Sequence, residues 1–386
     1  MSGIISDKKV KICNILFAIQ WILFLAGSIF SLSAWYELDE TGLMNTGYRG
    51  LKCVCALICL VIVIIKFLSG KYNRQAIVAY LLLAAVVAVT AYYSENIANV
   101  WYFAIFAAAY KEDAKKTITI SVIVTVIMMA VIIGCSYTEI GIDYIFDAEE
   151  RARHGLGFGW TTTPPILFLF LSMEYLCIRG RKMKILEYVI LEAIAVYFYV
   201  MTNTRFAFAV TTLLIVIMCI EGMQKNSWRI WRSLKWFWLC VPMMLCILCL
   251  AMYIFYDREN FAWQFINDLM GSRLTIGQNV INSVEYTWFG QYIHWNGYSI
   301  ADPVAYYYNY VDCSYIQIML QYGFTFLAAT VAIYTNAIYN SIKANKYNMI
   351  FILVVILVFS VMEPRLMNMM FNIFPLMSFV SLKETE

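Results

Sequence analysis

Long apolar segments alternate with short polar connections along nearly the whole chain. Because about 20 helical residues cross the hydrocarbon core of a bilayer, segments of this kind predict membrane-spanning helices. The chain contains twelve such segments. Several of them are short, so we expect about twelve spans. The predicted spans are Ile12–Trp35, Leu51–Leu68, Gln75–Tyr93, Ile97–Tyr110, Thr117–Cys135, Pro164–Ile178, Ile185–Met201, Phe206–Ile220, Leu234–Tyr256, Cys313–Tyr334, Met349–Met362 and Leu366–Leu382.

The composition excludes a soluble domain of this size. Of the 386 residues, 62% are hydrophobic and 14% are charged, and the mean hydropathy is +0.70. A water-soluble fold cannot bury so much apolar surface, so we expect an all-α polytopic membrane protein. No linker or internal repeat divides the chain, and residues 1–386 are predicted to form a single integral membrane domain. We expect no nucleic-acid partner.

The eleven cysteines lie almost wholly within the apolar segments. Small apolar core residues are the favoured interpretation. The alternative is a bond between Cys135 and Cys313, which both lie near one predicted face.

Basic residues divide the connections into two sides. Twenty of the 28 lysines and arginines lie in alternate connections and before the first span, and the connections between these are acidic. The positive-inside rule assigns the basic side, with both chain termini, to the cytoplasm. The largest connection, residues 257–312, is thereby predicted to be an extracytoplasmic loop.

Arginine is frequent on the predicted outer side, whereas lysine is nearly absent there. The rigid guanidinium fork binds phosphate or carboxylate through two hydrogen bonds. One alternative is that these arginines pair with neighbouring acids such as Glu149 or Glu363. For Arg205, held in a very short turn, another is snorkelling to the headgroups. The outer arginines are Arg151, Arg153, Arg205, Arg258, Arg273 and Arg365.

The loop 257–312 combines proton acceptors with aromatic side chains. Two short amphipathic helices are predicted in its first half, one capped by Asn260 and one beginning at Arg273, and their apolar faces suit a membrane surface. Aromatic faces with polar rims suit sugar rings, and they are also common at membrane interfaces. The candidate proton acceptors are Asp268, Glu285, His294, Asp302 and Asp312, and the candidate sugar-binding residues are Trp288, Trp295 and Tyr307.

A glycine-rich run, Arg151–Gly159, forms a second outer feature. Glycines let a backbone approach a ligand closely, and Arg153 with His154 would suit an anionic group. The alternative is a flexible surface turn that leads into a helix begun by Pro164.

Four local patterns occur in order along the chain: Arg153-His154-Gly155-Leu156-Gly157-Phe158, Thr202-Asn203-Thr204-Arg205, Gly271-Ser272-Arg273-Leu274 with Phe289-Gly290, and Val311-Asp312-Cys313-Ser314-Tyr315 with Gln321-Tyr322-Gly323. In this order, they resemble motifs of the Wzy-type polysaccharide polymerases of the O-antigen polymerase and ligase superfamily. The resemblance covers most of the chain. It also includes the general arrangement of many spans with a large outer loop before the last few helices. Two departures stand out: Thr163-Pro164-Pro165 replaces the family's Pro-Asn, and Asp312 stands where the ligases carry histidine.

The resemblance implies a GT-C-like membrane glycosyltransferase at the outer face of the bacterial cytoplasmic membrane. It would polymerise oligosaccharide repeat units, carried as donor and acceptor on undecaprenyl pyrophosphate, into capsular, exopolysaccharide or O-antigen chains. A flippase and a chain-length regulator are further partners, beside membrane lipid; we expect no cofactor and no essential metal. The expected pyrophosphate-binding residues are Arg205, Arg273, Arg153, Arg151 and Arg365. The candidate general bases, in order, are Asp312, His294 and His154.

Other functions stay open at this point. A lipid-linked oligosaccharide flippase or another transporter would keep functional charges near the bilayer midplane, where Glu192 is the deepest charged residue predicted. A transferase of the O-antigen-ligase type is another alternative. A structural or sensor protein does not account for the outer arginines. The alternative for Asp312 is a helix N-cap.

Overall fold

The computed structural model describes residues 2–138, 141–148, 151–224, 228–298, 300 and 308–382. Most of these residues are helical. One short antiparallel hairpin, β1 (Ile145–Ala148) with β2 (Arg151–His154), was not predicted by the apolar pattern. The helices of this part of the chain are α1 (Ser2–Phe30), α2 (Ala34–Glu37), α3 (Leu43–Leu68), α4 (Arg74–Ser94), α5 (Ala98–Ala108), α6 (Ala114–Ser136), α7 (Thr163–Arg179), α8 (Ile185–Thr202), α9 (Arg205–Met223), α10 (Arg229–Ser233), α11 (Val241–Ile254), α12 (Phe261–Leu269), α13 (Arg273–Ser283), α14 (Ser314–Lys343) and α15 (Tyr347–Phe359).

In the described chain, seven helices are long and apolar enough to cross a membrane: the Lys11–Phe30 part of α1, then α3, α4, α6, α8, α9 and α14. Their outward faces carry large apolar side chains, such as Leu57 and Leu60 of α3, with 63% and 55% of their surface exposed. A face of this kind is stable against lipid rather than water. The structure therefore supports a helical multi-pass membrane protein. The apolar helices α5, α11 and α15 are shorter, and a total of twelve spans is not confirmed.

The prediction of a twelfth helical span is wrong. Leu366–Leu382 contains only one short 3-10 turn, yet it is buried along almost its whole length. Irregular backbone is stable at membrane depth only where protein groups take its hydrogen bonds. The buried Asn372 amide donates to the Leu366 carbonyl at 2.7 Å, and the Asn336 amide of α14 donates to the Ser378 carbonyl at 2.9 Å. Side-chain amides thus replace helical hydrogen bonds, which the apolar pattern alone did not reveal.

The tenth predicted span, Cys313–Tyr334, is a helix with a break. α14 is interrupted at Gly323, whose φ of +79° and ψ of 173° only glycine adopts readily. The loop segment Thr287–Gln291 fills the break. It accepts a hydrogen bond from the Phe324 amide at 3.2 Å and donates one to the Gln321 carbonyl at 3.0 Å. The long loop is therefore anchored to the helix that it precedes.

We expect Gly323→Ala to lower the thermal unfolding temperature of the purified protein. An added Cβ would lie 2.5 Å from the Gly290 amide nitrogen. The backbone conformation itself costs a non-glycine residue about 1–3 kcal/mol. Gly134→Ala in α6 is the control, because nothing lies within 4 Å of its added Cβ. Equal unfolding temperatures for the two variants would contradict this description of the break.

The turn after α15 is recessed below the predicted outer end of the bundle. α15 has 13 residues and rises about 20 Å, short of the roughly 30 Å hydrocarbon core. The Leu366 carbonyl accepts a hydrogen bond from the Tyr334 hydroxyl at 2.8 Å. The Gly323 break is level with the end of α4, because Phe289 beside the break stacks on Tyr93 of α4. Tyr334 lies about 16 Å farther along α14 from this break. The turn that carries Glu363 and Arg365 is therefore inside the bundle.

The two helices predicted in the long loop are confirmed as α12 and α13. Asn260 caps α12 by accepting a hydrogen bond from the Ala262 amide at 2.9 Å. α13 packs so closely on α11 that an added Cβ at Gly277 would overlap the Tyr253 ring. This packing fixes Arg273, the first residue of α13, near the C-terminal end of α11.

Connections of like charge meet at the same end of the bundle. The connections after α5, α7, α9 and α14, all on the predicted basic side, line one cavity together. At the opposite end, Arg153 of β2 contacts Thr202 at the end of α8, and Ser33 pairs with Phe158. This grouping agrees with the charge alternation. The assignment of the basic end to the cytoplasm stays a prediction.

Candidate functional site

Four charged side chains from three separate segments meet in the recess beneath the long loop. Arg273 begins α13, Asp312 precedes α14, and Glu363 and Arg365 lie in the turn after α15. Arg273 Nε lies 3.0 Å from Asp312 Oδ2, and Arg365 Nε lies 3.7 Å from Glu363 Oε2. We call these four residues the outer recess.

Ser314, the first residue of α14, joins the two halves of the outer recess. Its hydroxyl donates to the Glu363 carbonyl at 2.6 Å and accepts from the Leu366 amide at 3.1 Å. Its own amide donates to the Ser360 carbonyl at 3.0 Å. The start of α14 is therefore bound directly to the turn after α15, which brings both ion pairs within electrostatic range of each other.

Burial raises the pKa of both carboxyl groups in the outer recess. For Asp312, burial is the largest influence, and the positive charges of Arg273 and then Arg365 oppose it. Burial raises the pKa of Glu363 to about 7, again against the charge of Arg365. A carboxylate with a pKa near neutral is well matched to accepting a proton at neutral pH.

The guanidinium groups of the outer recess keep unused hydrogen-bond donors. Arginine has five N–H donors. Arg273 donates from Nη1 to the Met270 carbonyl at 2.9 Å, and the Arg365 guanidinium lies 4.0 Å from the Phe371 ring centroid. The enclosed Nε atom of each makes no hydrogen bond of good geometry within the described residues. Because α14 also directs its N-terminus here, the site favours an anionic ligand.

A row of stacked aromatic rings leads from the hairpin toward the outer recess. Trp160 stacks on Tyr298 with 6.2 Å between ring centroids, and Tyr298 stacks on Tyr308 with 5.0 Å. Burial, and then the negative charge of Asp312, raise the pKa of the Tyr308 hydroxyl. The row therefore ends within electrostatic range of the carboxylate, and its flat faces with polar edges suit sugar rings.

The three predicted sugar-binding residues do not share one position. Trp295 donates from Nε1 to Gln321 Oε1 at 3.1 Å and so ties the loop to α14. Trp288 lies beside the break in α14 with 70% of its surface exposed. Tyr307 lies outside the described residues. Sequence reasoning missed the stacked row, because rings that are distant along the chain give no local signal.

The glycine-rich run packs closely against neighbouring backbone, and a ligand-binding role for it stays a prediction. The Ala34 amide donates to the Gly157 carbonyl at 2.9 Å. Gly157 has φ +83°, and an added Cβ would lie 2.6 Å from the Ile132 carbonyl. Leu156 and Phe158 on either side are fully buried. The close approach that glycine permits is therefore to the protein's own backbone, and Gly155–Gly159 is buried rather than at the surface.

The candidate residues beside this run are engaged within the protein. Arg153 donates from Nε to the Thr202 carbonyl at 2.9 Å, and burial lowers its pKa. His154 Nδ1 lies 2.5 Å from Asp143 Oδ2. Arg151 contributes its backbone to β2, and its side chain lies outside the described part of the chain. The Arg153 contact supports the turn between α8 and α9, and neither contact involves a residue of the outer recess.

Arg205 and His294 are exposed. Arg205 begins α9, and its guanidinium group has no hydrogen-bond or ion-pair partner among the described residues. Its neighbour Phe206 stacks on Phe359 at 5.2 Å, which puts Arg205 beside the end of α15. His294 lies on the loop, and its backbone carbonyl accepts a hydrogen bond from the Asn309 side-chain amide at 2.9 Å. Of the candidate bases, Asp312 alone belongs to the outer recess.

Glu363 is the site residue that sequence reasoning considered only as a partner for arginine. That pairing is confirmed for Arg365. Glu363 also lies within electrostatic range of Asp312, the first candidate base. The N-cap residue of α14 is Cys313, so the interpretation of Asp312 as the N-cap is wrong. All eleven cysteines are free, and the suggested bond from Cys135 does not form.

A scan against protein-family models gives no match, and searches of curated proteins and of solved structures give none either. The resemblance to polysaccharide polymerases therefore rests on the motifs and their order. Within the described residues, no group of three or more His, Cys, Asp or Glu side chains is placed to hold a metal ion.

Proposed function

We propose that this chain is a bacterial membrane glycosyltransferase that joins undecaprenyl-pyrophosphate-linked repeat units into a polysaccharide at the outer face of the cytoplasmic membrane. The observation that carries the proposal is the outer recess, in which two arginines and two carboxylates meet beneath an aromatic-rich loop. The arginines suit a pyrophosphate, and the carboxylates suit a base. The order of motifs supports the same assignment.

The proposed reaction transfers the growing chain to the incoming unit. The bond between the first sugar of the growing chain and its lipid pyrophosphate breaks, and the electron pair stays with the pyrophosphate. A hydroxyl oxygen of the incoming unit forms the new glycosidic bond, and its proton passes to Asp312. Arg273 and Arg365 bind the pyrophosphate more strongly as its negative charge grows, which stabilises the transition state over the ground state.

Arg205 is proposed to bind the lipid pyrophosphate on its way to the outer recess. It is an exposed cation without a partner among the described residues, beside the end of α15. Arg153 holds the turn that presents it, through the Thr202 carbonyl. We therefore expect Arg205→Lys to impair polymerisation, although less than substitution within the outer recess.

One observation favours a transporter as the second candidate function. Glu174 of α7 has only 2% of its surface exposed, and its Oε2 makes no hydrogen bond within the described residues. Glu192 of α8, which the sequence suggested as the deepest charge, accepts a hydrogen bond from the Thr212 hydroxyl at 2.7 Å. Glu174 is buried and Glu192 is half-buried. Carboxylates in the interior of membrane proteins often lie on ion or proton paths. They lie apart from the outer cations, which a transport function leaves unexplained.

Reconstitution separates these functions. The purified protein in proteoliposomes, supplied with undecaprenyl-pyrophosphate-linked repeat units, is expected to produce a ladder of polymers and to release undecaprenyl pyrophosphate. Transfer of one unit to a different lipid acceptor would favour the ligase type. Movement of the lipid-linked units between leaflets without chain growth would favour a flippase.

We expect Glu259→Cys, on the long loop, to react with a membrane-impermeant thiol reagent in intact cells. Lys343→Cys, at the end of α14, is expected to react only after lysis. Ser299, another suitable position, lies outside the described residues. The exposed native thiols Cys53 and Cys240 are replaced by serine in both variants to remove background. The reverse labelling pattern would contradict the topology and the proposed outer location of the site.

A further inference from the structure

A second charged cavity lies at the opposite end of the bundle from the outer recess. Its volume is about 950 Å³, in the range of small-molecule sites. Among the lining residues that the structure describes, six are basic and Asp113 is the one acid. We call this the basic cavity. Its basic residues are Lys115, Arg179, Arg181, Lys182, Arg232 and Lys346.

The positive-inside rule explains basic connections but not their convergence on one cavity. The six cations come from four connections, those after α5, α7, α9 and α14. Like charges around one space repel, and the repulsion is reduced only by a compensating anion or by solvent. Arg179 has such a partner, because its Nη2 lies 2.8 Å from Glu187 Oε1.

Other cations of the basic cavity are held by neutral groups. Arg181 donates to the Gln224 carbonyl at 3.3 Å, and the Arg232 guanidinium lies 5.5 Å from the Tyr347 ring centroid. The side-chain ammonium groups of Lys115 and Lys182 have no hydrogen-bond or ion-pair partner among the described residues, although their backbone carbonyls accept hydrogen bonds from Thr119 and Arg179. Four cations of the cavity, Lys115, Arg181, Lys182 and Arg232, therefore have no acidic partner among the described residues.

The lining also contains two helix N-termini and an apolar part. α6 and α15 both begin at the cavity, and their N-terminal ends add partial positive charge. Ile118, Met218 and Met349 line the same space. A basic rim over apolar side chains fits an anion with phosphate groups on an organic body.

We propose that the basic cavity binds a ligand with two phosphate groups, on the face of the membrane opposite to the outer recess. Cardiolipin of the surrounding leaflet and a soluble diphosphate share this chemistry. Neither source depends on the proposed transferase function, so binding is measured on the purified full-length protein without an activity assay.

The test uses two double variants that carry the same change in charge. Lys115→Gln with Lys182→Gln removes two cavity lysines, whereas Lys116→Gln with Lys184→Gln removes two exposed lysines of the same segments that do not line the cavity. In phosphatidylcholine nanodiscs, inorganic pyrophosphate is titrated by calorimetry. In nanodiscs that also contain cardiolipin, the retained cardiolipin is counted by native mass spectrometry.

The wild-type protein is expected to bind at least one of the two probes. The cavity variant should bind that probe about 30-fold more weakly, and the control variant within about twofold of wild type. Binding of cardiolipin alone identifies a lipid source, and binding of pyrophosphate alone identifies a soluble one. Failure of the wild-type protein to bind either probe, or equal losses in both variants, would overturn the proposal.

Discussion

Arg273→Lys is expected to reduce polymer formation about a hundredfold in proteoliposomes, because one well-placed electrostatic stabiliser contributes on the order of 3 kcal/mol to a transition state. The Arg273 guanidinium contacts Asp312 at 3.0 Å and still has donors free for a pyrophosphate. Lysine keeps the positive charge but lacks this forked set of donors. The effect should fall on the maximal rate more than on substrate affinity, because the charge grows during the reaction.

Arg258→Lys is the matched control for this result. Arg258 lies in the same loop and contacts α13, where it donates to Gln278 and Asn279, but it is outside the outer recess. We expect near-normal polymer from this variant. Comparable losses in both variants, or normal polymer from Arg273→Lys with a normally inserted protein, would make Arg273 a structural anchor.

Asp312→Asn is expected to reduce the rate about a hundredfold or more, since a positioned general base contributes on the order of 10²–10⁴. Asparagine keeps the shape of the side chain but cannot accept the proton. His294→Ala is the control within the loop, because His294 is exposed and away from the outer recess. If Asp312→Asn polymerises normally and Glu363→Gln does not, Glu363 is the general base. If only His294→Ala loses polymerisation, His294 is the general base.

The pH dependence of the rate provides a second measurement on these two carboxylates. A general base works when deprotonated, and burial raises the pKa of Asp312 above its ordinary value and that of Glu363 to about 7. Lowering the pH through a raised pKa protonates the group, so activity should fall on the acid side. Glu363→Gln should remove any step near pH 7. A profile with no acid limb down to the ordinary carboxylate range would contradict the buried-base assignment.

The sequence predicted the helical membrane character, the two loop helices and part of the outer recess. Arg273 and Asp312 were chosen because they match family motifs on the predicted outer side, and the structure brings them into contact. Arg365 was included as an outer arginine. These predictions depend on local patterns of apolarity, charge and capping, which act over a few residues and can be recognised within a segment.

The remaining features depend on contacts between distant segments. The Asn372 amide satisfies the backbone of Leu366–Leu382, so that an apolar segment crosses buried protein without forming a helix. The break at Gly323 is satisfied by a loop segment more than thirty residues away along the chain. Glu363 acquires its raised pKa from burial. Neither these long-range contacts nor the burial of Glu363 can be deduced from the local sequence.

An electron cryo-microscopy map of the protein in nanodiscs with undecaprenyl pyrophosphate tests the central claim most directly. We predict density for the two phosphate groups within hydrogen-bond distance of the Arg273 and Arg365 guanidinium groups, with the lipid chain leaving the bundle on the side of Arg205. Density for the pyrophosphate elsewhere, for example in the basic cavity alone, or its absence from the outer recess at saturating lipid, would contradict the account.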